Sequence, residues 1–570
     1  MKRLARLLAA FLFAASLQAQ QPQPPPPEKC VVEGQVVKAG TGQPLKKARV
    51  VLRKEESQET PQTVGTDADG KFQFKNVEPG RYRVYAVRNG YVRQEYGQRG
   101  PTRPGTVLTL APGQQLRDIV FKLQPAAVIA GRVYDEDGEA VMGARVQALQ
   151  FRYFQGRRQL FPARTATTND RGEYRLIGLA PGRYFVSVTY TPTSLLMAGL
   201  GFEFPGGQAA VDEGYAPVYY PNTTDASRAT PFEVKAGNEI AGIDVLLLPT
   251  RTARIRGRIF NAVTGKPGRE SMLMIWPREE ASRGFFTMST QNRVDDPQGN
   301  FELKGVAPGS YTLVAIWWDS GKSYAARLPL DVGGNDIDGV QLTIQPGVQV
   351  AGSIRVEGAE PAAAAAESTE ASFEKQTKLD WTEVYVGLAT EDWSPFGGGS
   401  ARAREDGSFV IENVSDDSYR VTVSRLPPDY YLKSARMEGN DLLEEGLTIA
   451  GPPRSTLELV VSPNGARLEG VVLRDSKPFS GATVTLVPDE KHRKRRELFK
   501  TASTDQYGRF TLRGIAPGEY KLYAWEEIEP GAYEDSEYLK PYEKRGMDVR
   551  LDESSKTTVE LTLIPAGEPR

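Results

Sequence analysis

The sequence predicts an all-β chain of five tandem, seven-stranded β-sandwich domains. Three observations predict it. Glycine and proline are abundant, at 56 and 40 of 570 residues, so turns are many and long helices few. Apolar residues alternate with polar ones in short runs, which is the period of a half-buried strand. One phrase of turn residues and aromatics recurs five times along the chain.

The phrase is a glycine turn, two apolar residues two apart, then Pro-Gly-x-Tyr. Its first copy is Gly70, Phe72, Phe74, Pro79-Gly80 and Tyr82. The second is Gly172, Tyr174, Leu176, Pro181-Gly182 and Tyr184. The third is Gly299, Phe301, Leu303, Pro308-Gly309 and Tyr311. The fourth is Gly407, Phe409, Ile411 and Tyr419, with Asp416-Asp417 where Pro-Gly is expected. The fifth is Gly508, Phe510, Leu512, Pro517-Gly518 and Tyr520. An early glycine opens each copy (Gly34, Gly131, Gly257, Gly352, Gly470), and a proline closes it (Pro125, Pro249, Pro346, Pro463, Pro565).

Successive closing prolines lie roughly 100 residues apart, above the ~50-residue ceiling of solenoid repeats, so the copies are domains. The boundaries read 30–125, 126–249, 250–346, 347–463 and 464–570. Only six to eight residues separate each proline from the next early glycine. Joints this short predict a semi-rigid, elongated monomer.

Tyr82, Val84 and Ala86 share one face of their strand, as do Phe72 and Phe74, and Ala48, Val50 and Leu52. Burying one face per strand requires two sheets packed face to face. Asp67 and Asp69 in the first turn are oxygen ligands of the kind Ca²⁺ takes. The other copies do not keep both carboxylates, so a turn-capping role is the reading preferred.

These segments resemble the carboxypeptidase regulatory-like domain. The resemblance is carried by Gly42-Gln43-Pro44-Leu45-Lys46-Lys47-Ala48-Arg49-Val50, by Thr66-Asp67 leading into Phe72, and by Pro79-Gly80-Arg81-Tyr82. Copy five repeats it with Gly481-Ala482-Thr483-Val484 and Thr504-Asp505-Gln506-Tyr507-Gly508-Arg509-Phe510. The resemblance implies a transthyretin-like sandwich within a wider carbohydrate-binding-like group. In metallocarboxypeptidases such a domain accompanies a separate zinc catalytic domain.

Composition argues against that chemistry here. One histidine, His492, excludes any metal site built on two or more imidazoles. One cysteine, Cys30, excludes an internal disulfide and any multi-cysteine zinc site. A Ser-His-Asp arrangement would need His492 as its base, inside a basic hexapeptide. No Gly-rich phosphate loop precedes a helix. No catalytic residue, cofactor or metal is therefore expected. Paired carboxylates are the one chemistry that counting leaves open, among 72 acidic residues. A carboxylate hydrolase would show a pocket holding two acids, one with a raised pKa.

Lys+Arg at 71 against Asp+Glu at 72 gives no basic excess for nucleic acid. Residues 1–19 read as a secretory signal: Lys2, Arg3 and Arg6, an apolar run Leu7 to Leu17, then small residues. The run is too short to span a bilayer. Residues 20–29 read as a Pro/Gln-rich spacer. The expected location is exported: periplasmic, cell-surface or secreted.

Function in sandwich proteins usually sits on loops. Lys491-His492-Arg493-Lys494-Arg495-Arg496 is a basic run, read as a solvated hairpin tip because Asp489, Glu490 and Glu497 flank it. The candidate ligand-facing aromatics are Trp317, Trp318, Trp393, Tyr219 and Tyr220. Trp317 and Trp318 are neighbours on an expected strand, so their rings point to opposite faces. The sequence thus predicts an envelope structural, adhesion or protein-interaction module. The alternatives are a polysaccharide binder and, more remotely, the carboxylate hydrolase.

Overall fold

The computed structural model describes residues 28–55, 59–100, 103–190, 213–278, 292–358, 380–390 and 398–567. The expected signal and most of the spacer lie outside these residues, as does Trp393. Among the described residues, no helix is long and apolar enough to cross a membrane.

The first sandwich sets the pattern. Its strands are β1 (Cys30–Lys38), β2 (Arg49–Lys54), β3 (Gln62–Gly65), β4 (Lys71–Val77), β5 (Gly80–Val87), β6 (Gln94–Glu95), β7 (Leu108–Leu110) and β8 (Gln115–Leu123). One sheet runs β4-β1-β8, with β1 antiparallel to β4 and parallel to β8. The other runs β3-β2-β5-β6, and β7 also pairs with β5. Seven strands were expected; the eighth is the two-residue β6, paired to β5 at Tyr85 and Ala86. The alternation is visible in β4, where Phe72, Phe74 and Val77 are buried and Lys71, Gln73 and Lys75 exposed. Each such side chain contributes roughly 1.5–3 kcal/mol when fully buried.

The same frame recurs. Strand Ala127–Tyr134 pairs with Glu173–Leu179, Ala253–Asn261 with Asn300–Val306, Val348–Val356 with Ser408–Val414, and Ala466–Arg474 with Arg509–Ile515. Each also runs parallel to a later strand, as β1 does with β8. Each frame encloses its own buried apolar cluster, so the cores are separate.

Three repeated side-chain roles explain the phrase. The turn Asp or Asn caps backbone amides: Asp67 Oδ1 accepts from the N–H of Asp69 at 3.0 Å and of Lys71 at 2.8 Å. Asn169, Asp296 and Asp505 each cap two amides in the same way. Each conserved tyrosine donates from its hydroxyl to the carbonyl four residues earlier: Tyr82 to Glu78, Tyr184 to Ala180, Tyr311 to Ala307, Tyr419 to Ser415 and Tyr520 to Ala516. This is the tyrosine corner of sandwich folds. It survives in the fourth copy, where Asp416-Asp417 replaces Pro-Gly.

The early glycine has a steric cause. A Cβ on Gly34 would sit 2.0 Å from the Ile119 carbonyl oxygen of β8, at a shift in the β1–β8 register. The corresponding distance is 1.9 Å at Gly131, 2.0 Å at Gly257, 2.4 Å at Gly352 and 2.3 Å at Gly470. The parallel strand passes too close for any side chain.

The sandwiches do not form the elongated string that the short joints predict. The fifth folds back onto the first: Arg103 reaches Glu526 at 3.2 Å and Glu527 at 3.0 Å. Gln506 exchanges two hydrogen bonds with the Thr109 backbone, and Val107 forms a parallel bridge to Asp505. The fifth also meets the fourth, where Arg513 grips both Asp429 oxygens at 2.8 and 2.6 Å. Against the second, the rings of Tyr153 and Tyr538 lie 5.7 Å apart, edge to face. Short joints limit local bending, but across several joints the small turns add up to closure.

Candidate functional site

The aromatics singled out from the sequence divide sharply. Tyr219 is 2% exposed and packs with Leu149, Leu160 and Phe185. Tyr220 is half-buried, its ring 4.8 Å from Phe232. Trp317 packs on the third core beside Tyr324. Trp318, at the far end of strand Gly309–Asp319, is 50% exposed and points the other way. The structure brings none of these rings together with the basic run.

The basic run is not a freely solvated tip. It lies on two short 3₁₀ turns, Glu490–His492 and Arg496–Leu498, and Leu498 anchors it in the fifth core. It borders a cleft of about 830 Å³ between sandwiches two, four and five. Arg493, Lys494, Arg495 and Arg496 line one side. Arg157 comes from the second sandwich, Arg420 from the fourth and Lys500 from the fifth. Phe154, Pro427, Pro428 and Tyr430 supply an apolar wall, and the acids in the lining are Glu497 and Glu534.

Some of this charge is answered locally. Arg495 pairs with Glu497 at 2.8 Å and with Glu444 at 3.5 Å. Arg420 donates to the Glu444 carbonyl at 2.9 Å. His492 contacts Asp489, with Glu444 at 3.7 Å from its other ring nitrogen. The remainder is crowded. Loss of solvent pushes the Arg496 guanidinium down, and the Arg157 and Arg420 charges push it further against the pull of Glu534. Burial likewise pushes Lys500 down, although Glu497 opposes. Loss of solvent holds Glu534 above the usual carboxylate range, against the pull of Arg496. The buried Nε of Arg493 has no hydrogen-bond partner.

A second cleft of about 560 Å³ opens between sandwiches one and five, and its lining holds six cations and one acid, Glu55. Carboxylates in and beside it pair most of these cations. Arg81 and Arg83 both reach Glu55, at 3.1 and 3.2 Å, and Arg513 holds Asp429. That cleft is an ion-paired seam, whereas in the first, among the described residues, Arg493, Lys494, Arg496 and Lys500 form no ion pair within 4.0 Å.

Arg157, Arg420 and Lys500 are cleft residues that the sequence reading missed. They sit on separate strands or beside separate turns, and no local motif joins them. The one available signal was the basic run itself. Among the described residues, no group of three or more His, Cys, Asp or Glu side chains is placed to hold a metal ion.

The repeated frame now meets the comparisons with known proteins. The model of the carboxypeptidase regulatory-like domain matches residues 31–124 and 128–194. The match covers the first sandwich and the first part of the second. Among curated proteins, the chain is similar to serine-aspartate repeat-containing protein D of Staphylococcus aureus strain Newman, with 26% identity over 175 residues. The match takes 28% of this chain and 12% of that protein, so the chain spans a small part of its relative's length. Among solved structures, the minor pilin GBS52 of Streptococcus agalactiae matches 39% of this chain and 98% of its own, at 13% identity and a TM-score of 0.21. Two B repeat units of the collagen-binding protein of Staphylococcus aureus match 76% of this chain and 100% of theirs, at 12% identity and a TM-score of 0.13. At such scores the likeness carries no argument; the sandwich fold stands on the sheet pairings above. The matched residues thus open the array, and the same glycine and tyrosine geometry continues through it.

Proposed function

We propose that this chain is an exported, non-catalytic array of sandwiches that works by presenting surface, as an envelope structural, adhesion or protein-interaction module. One observation carries the reading. The repeated residues go into scaffold — amide caps, tyrosine corners and glycine crossings — and sandwich five clamps sandwiches one, two and four into one body. The large cleft does hold two acids, with Glu534 above the usual carboxylate range, so a carboxylate hydrolase is the reading the turnover assay must test; Glu497 is tied to Arg495 at 2.8 Å.

The test is binding of the full chain, from Gln20 onward, to a panel of purified extracellular and envelope proteins by surface plasmon resonance. The same samples are assayed for release of new ends from polymeric substrates. Saturable binding to a protein with no turnover supports the module. Turnover that is lost in Glu534→Gln overturns it in favour of a carboxylate hydrolase. A polysaccharide-binding role is the second reading, and the half-exposed Trp318 ring favours it.

A further inference from the structure

We propose that the cleft between sandwiches two, four and five binds a short stretch of an acidic polysaccharide whose sugar rings carry carboxylates, a uronate-type polymer. The proposal goes beyond the protein-interaction reading and stands if that reading fails.

The charge balance comes first. The whole chain is neutral to within one charge, yet seven cations and two acids line this cleft. In the neighbouring cleft five of the six cations are paired: Lys54 with Glu59, Arg81 and Arg83 with Glu55, Arg467 with Glu469 and Arg513 with Asp429. In this one Arg493, Lys494, Arg496 and Lys500, all from sandwich five, line one depression. The unpartnered Nε of Arg493 is buried in it. Loss of solvent weakens the protonated forms of Arg496 and Lys500, and at Arg496 the Arg157 and Arg420 charges add to it. Bound anions relieve that repulsion, and planar guanidinium groups meet carboxylates in a two-point geometry.

The apolar wall then selects among anions. Phe154 is 38% exposed, and Pro427, Pro428 and Tyr430 stand with it on the cleft lining. Flat apolar rings beside cations suit a ring-built polymer with an apolar face and a charged edge, and give a free phosphate nothing. The volume, about 830 Å³, admits a few linked units rather than one small ion. An acidic peptide is the competing occupant. Its usual mode is strand addition to a free edge. Two edge strands reach this cleft: Lys500–Ser503 is four residues long, with Arg83 of the first sandwich donating to Ser503 at its far end, and of Arg157–Thr167 only Arg157 and Gln159 line the cleft. That leaves too little edge to template a peptide strand.

The experiment is calorimetric titration of the full chain with soluble polygalacturonate, at low and at physiological salt. A neutral glucan, poly-L-glutamate and inorganic phosphate are titrated in parallel. The expected result is saturable binding to polygalacturonate alone, weaker at higher salt. Arg496→Gln and Lys494→Gln, both at exposed positions, should each weaken it about tenfold, the value of one charged hydrogen bond. Lys477→Gln, an exposed lysine outside the cleft lining, should leave it unchanged. Thermal unfolding of each variant verifies that it is folded. Absence of polygalacturonate binding by the unaltered chain overturns the proposal. So does binding that the cleft variants leave intact, and so does equal or tighter binding of poly-L-glutamate or phosphate. New reducing ends in a sample that binds would support the site while overturning the non-catalytic reading above.

Discussion

The glycine at each parallel-strand crossing yields a prediction in which the sign is the test. Gly34→Ala adds one methyl group at a backbone angle that alanine tolerates. In an open strand such a change stabilises by ~0.4–1 kcal/mol, because it restricts the unfolded chain. Here the new Cβ meets the Ile119 oxygen at 2.0 Å, its carbonyl carbon at 2.8 Å and its Cβ at 2.9 Å. All three atoms belong to Ile119 of β8, so no flexible side-chain tip can swing away. Relieving the contact needs more than 1 Å of strand separation, on the order of the whole slack in a hydrogen bond. One or two ladder bonds then fail, at ~1 kcal/mol each, and the core over β1 is overpacked, at ~1–3 kcal/mol. The expected cost is roughly 2–5 kcal/mol, confined to the first sandwich. With several cores in one chain a single melting temperature is not defined, so the readout must be local. Hydrogen exchange of the full chain, followed by peptide, should show faster exchange in 30–38 and 115–123 and none in 466–474. Unchanged or slower exchange across β1 and β8 would refute the steric account.

Three further outcomes follow from the same contacts. Tyr520→Phe removes the hydroxyl bond to Ala516 and should destabilise the fifth sandwich by ~1 kcal/mol, read as faster exchange in 509–525. Arg103→Ala cuts both links to Glu526 and Glu527, and small-angle scattering should record a larger radius of gyration as sandwiches one and five separate. The Arg513 guanidinium holds the Asp429 carboxyl below its usual value. That contribution is present above the unfolded pKa, ~4, and fades as pH falls through the lower folded value. Both side chains are partly exposed, so it amounts to under ~1 kcal/mol. The seam between sandwiches four and five should loosen in acid, and Asp429→Asn should flatten that pH response.

What the sequence reveals follows from how far apart the partners lie. The tyrosine corner spans four residues and the aspartate cap two to four, so both imprint a readable phrase. The glycine crossing is longer-ranged, with Gly34 against Ile119, but its partner is backbone and asks only that one position be bare. That too leaves a mark. Arg103 and Glu526 are 423 residues apart and carry no mark at all. The closure of sandwich five onto sandwich one was therefore invisible, and the expected elongated form followed from the joints alone. The cationic cleft was half legible. Its hexapeptide stands out in the sequence, whereas Arg157, Arg420 and Lys500 look like ordinary strand and turn residues until three domains meet. Flanking acids made the run look neutralised, yet Glu497 balances Arg495 and leaves its neighbours unanswered.

The contact between the first and fifth sandwiches also has a mechanical meaning. A pull that parts these two bodies meets that seam before it meets any strand ladder. The seam consists of a few ion pairs and hydrogen bonds that give way singly, while a β-ladder sheared along its length gives way all at once. Under tension the array should therefore lengthen by opening first, with every core intact, and it should close again when the load falls. The salt links to Arg103 would then act as a reversible fuse that spares the folded domains.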